Sequence, residues 1–393
     1  MARRIYLHIG PPKTGTTFLQ AAWFQHRREL ADQGVLYPGE RQVDQFRAAA
    51  VALGKTGIID RMTPAQRASW GTLTSAVGEW HGDAIVSDEH YALASASKAR
   101  TILEELGGLG DELHVVVTAR DLARQVPAAW QQSIKHGNDE TFDHYWRTLA
   151  ADPARGFWHA QNLPSVLDRW TQGIAPERVH VVVHGGPGSP RNLLWDRMCQ
   201  VTGVDPSVLR PVKQANESLG VVHIELLRRV NAALPPHCDH LDMSRFTKGF
   251  VTTEVLVRSG KPLGLALPDE TRVWARERGA AMVDLLRGRA YDVVGDLADL
   301  LPAETPPTGR TPDSVSDSEV AALAAEAFAH LMVHTHEAQQ TRQELQRENR
   351  GLREQLSRAG QHAAGGPARL PRRVAGRARR VVRAARTRLS QTS

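Results

Sequence analysis

One run near the start of the chain, Ile5-Tyr6-Leu7-His8-Ile9-Gly10-Pro11-Pro12-Lys13-Thr14-Gly15-Thr16-Thr17-Phe18-Leu19, narrows the folds open to it more than any other stretch. Its first residues are mostly apolar and read as a short buried strand. A Gly/Pro-rich corner follows, and from Thr16 to Gln25 the residues read as the opening of a helix. A strand that turns tightly into a helix aims successive backbone N–H groups and the positive end of the helix dipole at one point, which makes an anion site. Lys13 adds a mobile cation there, and Thr14, Thr16 and Thr17 add hydroxyls. A phosphate is the expected guest.

The run is close to the nucleoside-triphosphate loop G-x-x-x-x-G-K-[ST], with Gly10 and Gly15 at the right spacing and Thr17 where a Mg²⁺-binding hydroxyl would stand. The lysine of that pattern is replaced by Thr16, and the loop's own lysine has moved to Lys13. Pro12-Lys13-Thr14-Gly15-Thr16-Thr17-Phe18-Leu19 resembles the 5′-phosphosulfate loop, P-K-[ST/G]-G-[ST]-[ST]-x-L, of sulfotransferases that use 3′-phosphoadenosine 5′-phosphosulfate (PAPS). In layout the resemblance runs from about Arg3 to Pro302, and only the first loop matches it sharply. It implies an α/β fold of P-loop type and a PAPS site built from Lys13, Thr14, Gly15, Thr16 and Thr17. No metal is expected, because Lys13 and the helix end supply the positive charge.

Further strands are expected at Ala84-Ile85-Val86-Ser87, at His114-Val115-Val116-Val117-Thr118-Ala119 and at Arg178-Val179-His180-Val181-Val182-Val183. The second of these is β-branched and continuous, as strands buried on both faces are. A parallel sheet with helices on both faces follows, and in such sheets ligands sit beyond the carboxyl ends of the strands. The first of these strands ends in Asp88-Glu89-His90. Sulfuryl transfer to a hydroxyl needs a group that takes the acceptor proton, and Glu89 is the candidate base, in agreement with the glutamate that the resembled family places after its second core strand. His90 is the rival, since imidazole titrates near neutral pH. Glu89 also suits a plain acid at a helix start.

The strand at His114 ends in Arg120-Asp121. The resembled family binds the cofactor's 3′-phosphate with R-[DN]-x₆-S, which gives Arg120 that role; the alternative for Arg120 is an ion pair with Asp121. Eight residues on, the serine is replaced by Ala128, with Arg124 or Ser133 as candidate substitutes. The aromatic stretch Phe142, Tyr145, Trp146, Phe157, Trp158 and Trp170 is either core packing or an acceptor platform, with Lys135 and His136 placed to border it. Lys213 and Lys248-Gly249 are candidates for a late loop that closes over the nucleotide.

A chain of 393 residues that is 41% hydrophobic has enough apolar side chains for a sizeable core. Two cysteines, Cys199 and Cys238, suggest no disulfide framework, and no stretch has the length and hydropathy of a signal or membrane span. A cytoplasmic location is expected. The formal charge of +6 comes from the far end, where Arg369 to Arg388 holds nine arginines and no acid. That tail suits a disordered end or attachment to an anionic membrane surface.

The division expected is a P-loop domain over 1–302, a Pro/Thr/Ser-rich linker over 303–318, a helical or coiled-coil segment over 319–358 and a basic tail over 359–393. The heptad spacing of Leu345, Leu352 and Leu356 and the presence of Asn349 make a homo-oligomer through a coiled coil an expectation. Transfer of a sulfuryl group from PAPS to a hydroxyl or amine is the leading function. The acceptor, whether glycan, lipid, peptide or small metabolite, is not specified, and no specific nucleic-acid partner is expected. Two alternatives remain: a P-loop kinase using ATP-Mg with Asp88 as the metal-binding acid, and a non-catalytic binding protein working through its coiled coil and tail.

Overall fold

The computed structural model describes residues 1–190, 192–208, 219–235, 238, 243, 246–304 and 309–363, with side chains in the last helix described to residue 355. The expected sites at Lys213 and in the Arg369–Arg388 tail lie outside the described residues. Two compact units are present, one made of Met1–Gln132, Glu140–Asn216 and Gly264–Asp313, the other of Ser133–Asp139, Glu217–Leu263 and Ser314–Ser393.

The first unit is built on an all-parallel sheet of β1 (Ala2–His8), β2 (Val35–Leu36), β3 (Asp83–Ser87), β4 (Gly110–Ala119), β5 (Val179–Val183) and β6 (Asp292–Val294), in the order β2-β3-β1-β4-β5-β6. The four inner strands are those expected from sequence. Both edge strands are very short, so neither carries a readable period; β6 has no signal in the sequence beyond Val293 and Val294.

Alternation along the strands divides the core between the two faces. Ile5, Leu7, Val86, Val115, Val117, Val179 and Val181 point to one side, against Ile102 and Leu106 of the helix Ala96–Gly107 and Trp170 of the helix Leu163–Trp170. Tyr6, Ile85, Val116 and Val182 point to the other, against Leu19 and Trp23 of the helix Thr16–Gln25 and Trp195 and Met198 of the helix Leu193–Thr202. Most of the aromatic stretch is core, with Phe157 half-buried: Phe142 and Trp170 are fully buried, and the Trp170 indole N–H donates to the Tyr91 carbonyl at 3.1 Å. Trp146 and Trp158 are also buried, each ring 6.1 and 6.0 Å from that of Trp274. Aromatic rings committed in this way fill volume rather than present a face to a ligand.

After β1 the chain leaves towards β3 and β2, and after β4 it leaves towards β5 and β6. The crevice between β1 and β4 is therefore the point where the connections diverge, the place where open parallel sheets bind ligands.

In the second unit the helices Val221–Ala233 and Asp317–Ala363 pack together. Arg229 of the first pairs with Asp317 at the start of the second at 2.8 Å. Among the residues of the long helix whose side chains are described, Val320, Leu323 and Ala327 are buried.

Candidate anion site at the β1–β4 crevice

The loop between β1 and the helix Thr16–Gln25 needs its glycines. Gly10 and Gly15 have φ of 82° and 93°, and Gly15 stands as the left-handed residue that opens the helix. A Cβ on Gly10 would lie 2.8 Å from the Glu89 Cα, and one on Gly15 would lie 2.3 Å from the Leu194 side chain. The first contact is with backbone and has no way to give. A Gly10→Ala variant should lose about 3 kcal/mol of stability, from left-handed strain plus overpacking, in chemical denaturation. An unchanged midpoint would mean that Glu89 does not pack on the loop.

No side chain caps the helix at Gly15, so its first-turn N–H groups face the loop's concavity. Lys13 is the one non-glycine residue of positive φ, 69°, among those described. Its ammonium donates to Gln132 Oε1 at 2.6 Å, and its carbonyl accepts from Arg120 Nη1 at 3.1 Å. Arg120, at the end of β4, thus braces the loop across the crevice. The Thr14 hydroxyl turns inward instead of towards a ligand: it donates to the Pro11 carbonyl at 2.6 Å and meets Thr118 Oγ1 at 2.5 Å. Thr16 is buried and Thr17 exposed.

Beneath the loop lies His8, fully enclosed, with Nδ1 2.8 Å from Ser87 Oγ and Nε2 3.3 Å from Thr118 Oγ1. Burial pushes its pKa down to about 3, so the ring is neutral. Thr118 and His8 carry no motif and had no signal in the sequence.

Arginines supply the charge. Burial, with the nearby Arg124 charge adding to it and Asp121 opposing, lowers the Arg120 pKa to about 10, still well above neutral pH. Asp121 pairs with Arg124 rather than with Arg120, and Arg124 Nη1 also donates to the Gly185 carbonyl at 2.9 Å. Arg120 Nε and Arg124 Nη2 are buried and meet no hydrogen-bond partner among the described residues. Two guanidinium N–H groups left in this way are costly unless an anion takes them. His184, at the end of β5, is held below its ordinary pKa by burial and, after a partly opposing hydrogen bond to Gly185, by these two arginines. The Gly-rich turn His184–Gly188, which reads as a plain connection in sequence, is therefore part of the wall.

Ala128 sits on the helix Leu122–Lys135, one turn after Arg124 and one turn before Gln132. Gln132 meets the loop through Lys13, and Ala128, one turn earlier on the same helix face, has no hydroxyl to add. Arg124 offers its guanidinium one turn earlier.

Glu89 and His90 part company. Glu89 opens a short 3₁₀ helix, Glu89–Leu93, packs its backbone on Gly10 and accepts from Gln20 Nε2 at 3.0 Å. His90 turns to Asp88, with Nδ1 2.6 Å from Oδ1, and its ring edges Phe46 at 5.2 Å. Burial works against its charge, but the Asp88 hydrogen bond, with the charges of Asp88 and Glu89, holds its pKa above the ordinary value. Asp88, the acid a kinase would use for its metal, is 3% exposed, and the same Oδ1 accepts from the His90 backbone N–H at 2.9 Å. Lys135, His136 and Lys248 form a separate basic group in the second unit, where Lys248 Nζ meets His136 Nε2.

The class that the fold defines is an α/β protein with a six-stranded parallel sheet and a loop of positive-φ glycines at its topological switch point. Comparison of the chain with protein-family models, with curated proteins and with solved structures gave no match. Among the described residues no helix is long and apolar enough to cross a membrane.

Proposed function

We propose that the protein is a PAPS-dependent sulfotransferase. The observation that carries this reading is the pair of half-buried arginines, Arg120 and Arg124, each with a buried N–H that meets no partner among the described residues, Arg120 also holding the loop whose cation is Lys13. One phosphate needs the loop and the helix end; a second anionic group accounts for the arginines. A nucleotide with phosphates at both 5′ and 3′ positions meets both demands.

In the proposed reaction the acceptor oxygen or nitrogen attacks sulfur, and the bond from sulfur to the bridging oxygen breaks. The sulfuryl group passes to the acceptor, 3′,5′-ADP leaves with the bridging oxygen, and the acceptor proton goes to Glu89. Lys13 neutralises the charge that grows on the leaving oxygen, and the N–H groups of the first helical turn hold the 5′-phosphate. In this reaction Lys13 exchanges Gln132 for the ligand.

Titration calorimetry tests the reading. Metal-free 3′,5′-ADP should bind, and Arg120→Ala and Arg124→Ala should each weaken it by about 10- to 100-fold, the worth of a hydrogen bond to a charged group. Preference for ATP with Mg²⁺ would favour a kinase, and no heat with either would favour the non-catalytic alternative.

A further inference from the structure

The helix Asp317–Ala363 is longer than its packing explains. Val320, Leu323 and Ala327 fix its first turns to the second unit, and the His334 ring lies 4.4 Å from that of Phe250. Every residue from Met332 to Arg350 is exposed. At 1.5 Å per residue, about 30 Å of helix runs from His334 to Gln355 with none of its residues buried. A helix of that length without tertiary packing is marginal in water, because most helical stability in proteins comes from an apolar face that finds a partner.

The exposed part has such a face. With Leu352 at heptad position d, Leu331, Ala338 and Leu345 take the preceding d positions, and Phe328 and Asn349 fall at a. Phe328 is 63% exposed and Leu345 50% exposed, and the seam lies beside the stripe Val320, Leu323, Ala327 that the unit itself covers, not on it. In this register Glu348 is at g and Arg353 at e. In a parallel, in-register pair of identical helices, g of one strand meets the following e of the other, so each Glu348 faces Arg353 of the second copy, twice per dimer. Asn349 then faces Asn349, the arrangement in which a polar a residue fixes register and holds the assembly to two strands. Arg342, also at a, faces its own copy; its long stem lets the charge escape to water, at a cost in affinity.

We propose that residues 328–356 form a parallel two-stranded coiled coil with a second copy of this chain, its register set by Asn349 and by the Glu348–Arg353 pairs. The occupant is a second copy because the seam is complementary to itself: the charges pair only when the same sequence stands opposite in the same direction. The inference is independent of the transfer chemistry.

Sedimentation equilibrium of the full-length chain is the test. A reversible monomer–dimer equilibrium is expected, and Leu352→Asp should leave monomer alone. Glu348→Arg and Arg353→Glu should each weaken the dimer on the order of tenfold, since two exposed pairs turn from attraction to repulsion. The double variant, with the charges exchanged, should restore it. Arg342→Leu should tighten the dimer by removing the like-charge pair. A chain that stays monomeric at all concentrations overturns the proposal. So does a dimer that ignores Leu352→Asp, and a double variant as weak as the singles overturns the parallel register.

Discussion

Replacing Lys13 with alanine should lower sulfuryl transfer by about 100- to 1000-fold while the protein stays folded, the usual worth of one preorganised group aimed at developing charge. The side chain is half-buried and its contact with Gln132 is made at the end of a flexible stem, so its removal empties little core. The backbone that matters for the fold, the Lys13 carbonyl held by Arg120, is kept. The loss should fall mainly on kcat, because the bridging oxygen gains its charge as the bond to sulfur breaks. Glu89→Ala is the companion variant: affinity for 3′,5′-ADP should persist while turnover drops by about 100- to 10,000-fold. Measured with labelled PAPS, transfer that survives Lys13→Ala would refute the mechanism. Turnover retained in Glu89→Ala would shift the base to His90, whose ring would first have to leave Asp88.

The second large effect concerns acid. His8 has its pKa pushed down to about 3 by burial, against about 6.5 in an unfolded chain. Between these values the unfolded state binds the proton and the folded state does not, so this histidine costs nothing above pH 6.5 and destabilises the fold progressively as pH falls towards 3. At about 1.4 kcal/mol per unit, its contribution amounts to roughly 2 kcal/mol at pH 5 and about 5 kcal/mol at the acid limit. Carboxylates such as Asp83 add their own acid sensitivity: burial raises its pKa, but the hydrogen bonds from Arg3 and Arg4 outweigh this and hold it below the ordinary value. A comparison of the parent with His8→Gln isolates the histidine, because the other groups are common to both. Denaturant unfolding at pH 7 and pH 5 should show the parent losing about 2 kcal/mol more than the variant. Equal losses would mean that His8 is hydrated or already charged. Protonation also reaches the site, since His8 Nε2 touches Thr118, and Thr118 Oγ1 touches the Thr14 hydroxyl that ties the loop to Pro11.

Much of this was legible in the chain because the signals are local. The strand before Gly10, the corner at Gly10 and Gly15 and the helix from Thr16 are specified within a few residues by apolar runs, turn residues and caps. The β-branched run at Val115 needed no context either. Interruptions carry a weaker signal: the helix that opens at Thr16 breaks at His26 into Thr16–Gln25 and Arg27–Asp32. Of the edge strands, Val35-Leu36 reads as a short extended segment stopped by Pro38-Gly39, whereas Asp292–Val294 is too short to show a period.

The sequence by itself determined a parallel α/β sheet, a glycine-bearing loop with its lysine at position 13, and charged residues at the ends of β3 and β4. Only the tertiary structure decided that β4 lies beside β1, so that Arg120 meets the Lys13 carbonyl 107 residues away. It also decided that Arg124 and the His184 turn close one side, that Glu89 packs on Gly10 while His90 turns to Asp88, and that Thr14 serves the loop from below. The reason is physical. Local structure follows from the period and turn chemistry of adjacent residues, while strand order and converging side chains follow from which apolar faces bury one another, and no short stretch carries that information.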